Sequence, residues 1–201
     1  MDLLLIRHAE PIRVENVDAP ADPPLHVRGI EQARRLAAWL ASETDPVDEL
    51  WSSPLQRARQ TAEPFASTSD LPVRVGHDLA EWDRLAAEYI PIEELRAAND
   101  ERWQALITGA AMEAHVNPDE WRETVVAAVE GIVAANTGRR AAVVCHGGVI
   151  NAYLSWVLGL PTQNFFLPRY TSISRVAAAR SGQRSVVSIN ETGHLRGLPG
   201  F

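Results

Sequence analysis

Two short, uninterrupted apolar runs, Leu3–Ile6 and Ala141–Cys145, constrain the fold of this chain most tightly. Runs of this kind are strands covered on both faces, as in a parallel sheet clad with helices. Asp48–Ser52 and Pro72–Gly76 are weaker strand candidates. Helical periodicity marks Ile30–Glu43, Pro54–Ser67, Ile92–Ile107, Pro118–Asn136 and Val149–Leu158. Ser53 before Pro54 and Asn117 before Pro118 read as helix caps with proline in the first turn. Ser172–Arg180 and Arg184–Asn190 flank Ser181-Gly182, a hairpin pattern. This order predicts a three-layer α/β/α fold, its sheet mostly parallel with an antiparallel edge. With 201 residues, a single domain over 1–201 is expected. Its Asp83–Asn117 stretch is read as a helical insertion over one end of the sheet. Pro11–Pro24, polar and holding four prolines, is a long loop of the kind that carries function.

Composition removes several function classes. All 19 basic residues are arginine, which excludes a Walker A lysine, a Schiff-base lysine and pyridoxal phosphate chemistry. The single cysteine, Cys145, rules out an intrachain disulfide and any CxxC motif. A net charge of −7 argues against nucleic acid or an anionic membrane as partner. No segment reads as a secretion signal or membrane span, so the cytoplasm is the expected location. No metal or cofactor is expected, and a homo-oligomer stays open.

The chemistry gathers at strand exits. Arg7-His8 follows the first apolar run directly, and His146-Gly147-Gly148 follows the second. Ligands of open α/β sheets bind beyond the carboxyl ends of the strands. A third exit, Glu49 to Pro54, leads into a helix that carries Arg57 near its positive end. Arginine's planar fork suits phosphate oxygens, and a neutral imidazole can attack phosphorus. His8, His146, Arg7 and Arg57 thus suggest an anion pocket with a nucleophile. Among acids, Asp78, Glu81 and Asp83 are equal candidates on local pattern alone.

Four segments resemble the histidine phosphatase superfamily, also called the phosphoglycerate mutase-like family. They are Leu-Ile-Arg7-His8-Ala9-Glu10, the run from Ser52 to Ala62, Leu79-Ala80-Glu81, and His146-Gly147-Gly148. Leu25…Gly29…Gln32-Ala33 and Thr171-Ser172-Ile173 are weaker echoes. The resemblance implies that His8 is the nucleophile, that Arg7, Arg57 and His146 hold the phosphoryl oxygens, and that Glu81 is the acid–base. It implies hydrolysis of a small phosphorylated molecule through a phosphohistidine, without metal. Trp82 is expected to shield Glu81 and raise its pKa.

Arg13, His26 and Gly147 are the candidate substrate-binding residues around this core. His26 replaces a capping threonine and is expected to cap poorly. Arg13 and Asn16 are candidates for the place of an asparagine that mutases carry, and Asn151 replaces a frequent arginine after His-Gly-Gly. The alternatives are a mutase-type phosphoryl transferase and a non-catalytic phospho-binding module. Arg84, Arg96 and Arg102 in the insertion would suit a mutase; the short tail Leu195–Phe201 favours a phosphatase. Cysteine-phosphatase, metal-hydrolase and serine-hydrolase readings fail on spacing. His77, His115 and His194 read as structural or surface residues.

Overall fold

Leu3, Leu4, Leu5 and Ile6 are all fully buried in strand β1 (Asp2–Arg7), at the centre of a six-stranded sheet. The computed structural model describes residues 1–15, 17, 18 and 20–199. Strand β4 (Arg140–Cys145) runs parallel to β1 on one side. Beyond β4 lie β2 (Glu49–Ser52) and β3 (Val73–Val75), also parallel. On the other side of β1, β5 (Ile173–Ala178) and β6 (Arg184–Glu191) form the antiparallel edge. Gly182, at φ 94°, turns the chain between them, a conformation open to glycine without a Cβ clash.

The apolar runs serve two layers by alternation. Leu4, Ile6, Ala142 and Val144 pack with residues of α1 (Val27–Ser42) and α2 (Gln56–Ser69). Leu3, Leu5, Ala141, Val143 and Cys145 face the opposite layer. There they meet α6 (Pro118–Ala135) and α7 (Gly147–Leu158). Between β3 and α6 the insertion carries α3 (Ile92–Ala97), α4 (Glu101–Thr108) and α5 (Ala110–Glu113).

Three local expectations change. The helix expected over Ile92–Ile107 breaks at Asn99, whose φ is 50°, and Asp100 caps a new start by accepting from Arg102 N. The helix expected from Pro54 begins at Gln56 instead. The carboxylate of Asp22, from the long loop, accepts the Gln56 N–H at 2.8 and 3.0 Å, so a remote residue supplies the cap. His26 does cap α1: its Nδ1 accepts from Arg28 N at 3.2 Å. Gly29 lets this corner close, because a Cβ there would meet Glu10 O at 2.0 Å.

The Pro11–Pro24 loop is tied to the insertion by backbone hydrogen bonds. Val14 and Tyr89 exchange both of theirs, and Ala21 N donates to Ala86 O at 2.8 Å. Together they form a wall beyond the carboxyl ends of the strands.

Candidate active site

The register of the central strands lines up three exits. Arg7 pairs with Cys145 across β1 and β4, and Ser52 pairs with Val144 across β2 and β4. The next residues, His8 and His146, therefore stand side by side, with Ser53 level with Cys145 one residue before His146. The His8 and His146 rings are 5.1 Å apart. Nδ1 of His8 lies 2.8 Å from the Ala9 carbonyl, which can only accept, so Nδ1 carries the proton. Nε2 is left with the lone pair. Burial, and then the charges of Arg57 and Arg7, hold the His8 pKa well below the usual histidine range. The ring is therefore neutral and nucleophilic at neutral pH. His146 is fully buried behind it, and its pKa is lowered by burial and by Arg57. Its Nε2 meets Ser53 Oγ at 2.7 Å, while Nδ1 is buried without a partner among the described residues.

Two arginines flank His8. Arg7 lies over the Tyr170 ring, Cζ 4.0 Å from its centroid, and donates to Pro168 O at 2.6 Å and Glu93 Oε1 at 2.7 Å. Burial works against its charge, but Glu93 and the neighbouring tyrosines outweigh that and raise its pKa. Arg57 is 1% exposed, with Cζ 4.6 Å from the Tyr89 centroid. Asp22 and Asp83 stand on either side of it, each at 3.8 Å. The fork is thus held in place without being consumed by a close carboxylate.

Glu81 is placed by the glycines after His146. Its Oε2 accepts from Gly148 N at 2.9 Å, at the start of α7, and its Oε1 from Trp82 N at 3.2 Å. A Cβ on Gly148 would come within 2.2 Å of Oε1, so only glycine admits the carboxyl there. Burial, and then the charge of Asp83, push the Glu81 pKa up to about 7. The Trp82 backbone N–H works in the opposite direction, favouring the charged form.

Arg7, His8, Arg57 and Glu81 line one side of a cavity of about 330 Å³. Its outer wall is apolar and comes from α4, Met112 and the segment Phe165–Leu167.

A family model described as the histidine phosphatase superfamily, branch 1, matches residues 3–192. The chain belongs to that superfamily. A probable phosphatase of Schizosaccharomyces pombe is 28% identical, over 97% of this chain and 71% of its own length. A probable phosphoglycerate mutase of Yersinia pestis is 26% identical, over 97% of this chain and 95% of its own. Among solved structures, phosphoserine phosphatase of Entamoeba histolytica matches with a TM-score of 0.74 at 23% identity, covering 96% of this chain and 98% of that one. The mycobacterial glucosyl-3-phosphoglycerate phosphatase matches at 0.70 and 20% identity, covering 95% and 99%.

Within this histidine phosphatase fold, His8, Arg7, Arg57 and Glu81 come together around the cavity, and Gly147 joins its lining. His146 lies one row behind. Arg13 is elsewhere: it is exposed and paired with Glu15 at 2.7 Å and Glu94 at 3.2 Å, so its charge is spent at the surface. His26 is occupied as a helix cap and does not line the cavity. Asn16 lies outside the described residues. Asn151 holds the wall in place: its Oδ1 accepts from Phe165 N and Phe166 N, and its Nδ2 donates to Gly147 O and Phe166 O. Tyr89, Glu93 and Tyr170 escaped the sequence reading, since no local pattern sets them apart. Their roles come from contacts with Arg7 and Arg57 made across the fold.

Proposed function

We propose that this chain is a metal-independent phosphomonoester hydrolase acting through a phosphohistidine at His8. One observation carries the reading: an oriented, neutral His8 shares a cavity with a buried carboxyl whose pKa lies near neutrality. Nε2 of His8 attacks phosphorus, and the bond to the ester oxygen breaks. Protonated Glu81 gives its proton to that departing oxygen. Water then attacks phosphorus, ionised Glu81 takes the water's proton, and the N–P electron pair returns to Nε2. Free phosphate leaves, and the enzyme is restored.

Arg7 and Arg57 neutralise the non-bridging oxygens, where charge stabilisation matters most for phosphoryl transfer. Ser53 Oγ already accepts from Leu55 N at 3.3 Å, so its hydroxyl proton is available to His146 Nε2. In that tautomer His146 Nδ1–H donates to a phosphoryl oxygen carried on His8. A mutase would need further cations for a substrate carboxylate. None of the candidates is among the lining residues: Arg84 faces a separate surface cavity, Arg96 stands 5.9 Å from the Trp103 ring without entering the lining, and Arg102 is paired with Asp100 at 2.8 Å. Hydrolysis is the better-supported outcome.

The test is p-nitrophenyl phosphate hydrolysis in EDTA. Wild type is expected to turn over and His8→Ala to be inert. Activity lost to EDTA, or retained in His8→Ala, overturns the mechanism.

A further inference from the structure

The cavity has more room than a phosphoryl group needs, and its chemistry changes sharply from floor to wall. Arg7 and Arg57 are the two cationic side chains among its described lining residues. Both sit beside His8, where one phosphoryl group takes them. The opposite wall is Ile90, Trp103, Leu106, Ile107, Phe165 and Phe166. Its polar side chains serve the protein: Asn151 has both ends of its amide engaged by the loop behind it, and Asn164 donates to Leu106 O. The nearby acids add negative charge. Asp83 borders the cavity, and Glu93 and Asp22 stand behind the two arginines. A second anionic group on a substrate would meet no further cation among the described lining residues and would face Asp83.

We infer that the leaving group is an uncharged, predominantly apolar alcohol or phenol seated against this wall, and that α4 and Phe165–Leu167 set specificity by burying it. The inference rests on the hydrolase reading above. At about 330 Å³ the cavity is at the small end of the ~300–1,000 Å³ typical of small-molecule sites, which suits a single ring or a short alkyl chain beside the phosphoryl group.

The test compares ethyl, butyl and hexyl phosphate with 3-phosphoglycerate and phosphoserine. The alkyl alcohols are equally poor leaving groups, so differences among them report the wall. Each buried methylene is expected to raise kcat/KM by about 3–4-fold, making hexyl phosphate on the order of 10²-fold better than ethyl phosphate. Both carboxylate-bearing esters should fall below hexyl phosphate. Leu106→Arg places a cation on a helix with no fully buried residue, at a half-buried position in the cavity lining. It should lower hexyl phosphate turnover and raise that of 3-phosphoglycerate. Equal rates along the alkyl series, or wild-type preference for either carboxylate ester, overturn the inference and leave the hydrolase standing. Failure to hydrolyse any ester overturns the hydrolase reading itself.

Discussion

Gly148→Ala isolates the placement of Glu81, the proposed general acid. A Cβ at 148 would lie 2.2 Å from Glu81 Oε1, 3.0 Å from Cδ and 3.1 Å from Oε2, against 3.4–4 Å for ordinary contact. The carboxyl must withdraw by more than an ångström and lose the Gly148 N–H. A displacement of that size costs about 10²-fold in a positioned catalyst, and complete loss of the acid about 10²–10⁴-fold. Alanine is a better helix former than glycine by roughly 1 kcal/mol, so α7 itself is not weakened. The assay is the rate of His8 phosphorylation in rapid-quench experiments with two esters. An alkyl phosphate, whose leaving oxygen needs a proton, should lose about 10²-fold or more. p-Nitrophenyl phosphate, whose phenolate departs unprotonated, should lose less than about tenfold, because the nucleophile and arginines are untouched. An equal loss for both esters would refute the argument, since it would mean that the substitution damages phosphoryl binding instead of the acid.

Other expectations follow from the same geometry. With a native pKa near 7 against an ordinary 4.5, Glu81 costs the folded state stability as pH rises from about 4.5 to 7, by up to ~3 kcal/mol. Glu81→Gln should therefore gain stability relative to wild type at pH 8 over pH 5 in urea titrations, while losing activity; no pH-dependent difference would refute the buried-acid account. Arg7→Lys keeps the charge but loses the planar guanidinium that stacks on Tyr170 and whose Nη1 donates to both Pro168 O and Glu93. Steady-state assays should show kcat down by about 10²–10³-fold with the fold intact. Asp22→Ala removes the remote cap of α2 and should cost about 1 kcal/mol in denaturant unfolding.

The central strands and the two histidines were legible because their causes are local. A continuous apolar run needs cover on both faces, and the residue after each run has to emerge at the sheet edge. Glu81 was a different case: three acids were equal on pattern, and only the family resemblance chose among them. Its physical distinction is the missing Cβ of Gly148, 67 residues along the chain. Arg13, a substrate-binding candidate by position, is instead paired at the surface with Glu15 and with Glu94, which the insertion brings beside it. The start of α2 was misplaced because its cap comes from Asp22, far from Ser53 in sequence. His26 capped α1 after all, its ring nitrogen accepting where a hydroxyl was expected. The apolar wall was hidden for the same reason: α4 and Phe165–Leu167 become one surface only after the chain has folded.

The most direct test of the central claim is to trap the covalent intermediate. Glu81→Gln mixed with p-nitrophenyl phosphate should release one equivalent of p-nitrophenolate in a burst, because this ester's phenolate departs without an acid while dephosphorylation needs the base. Alkaline quench, proteolysis and mass spectrometry should then find one phosphoryl group, on the peptide containing His8 and at that histidine. A phosphoryl group on another residue, or a full burst with no protein-bound phosphate, would contradict nucleophilic catalysis by His8.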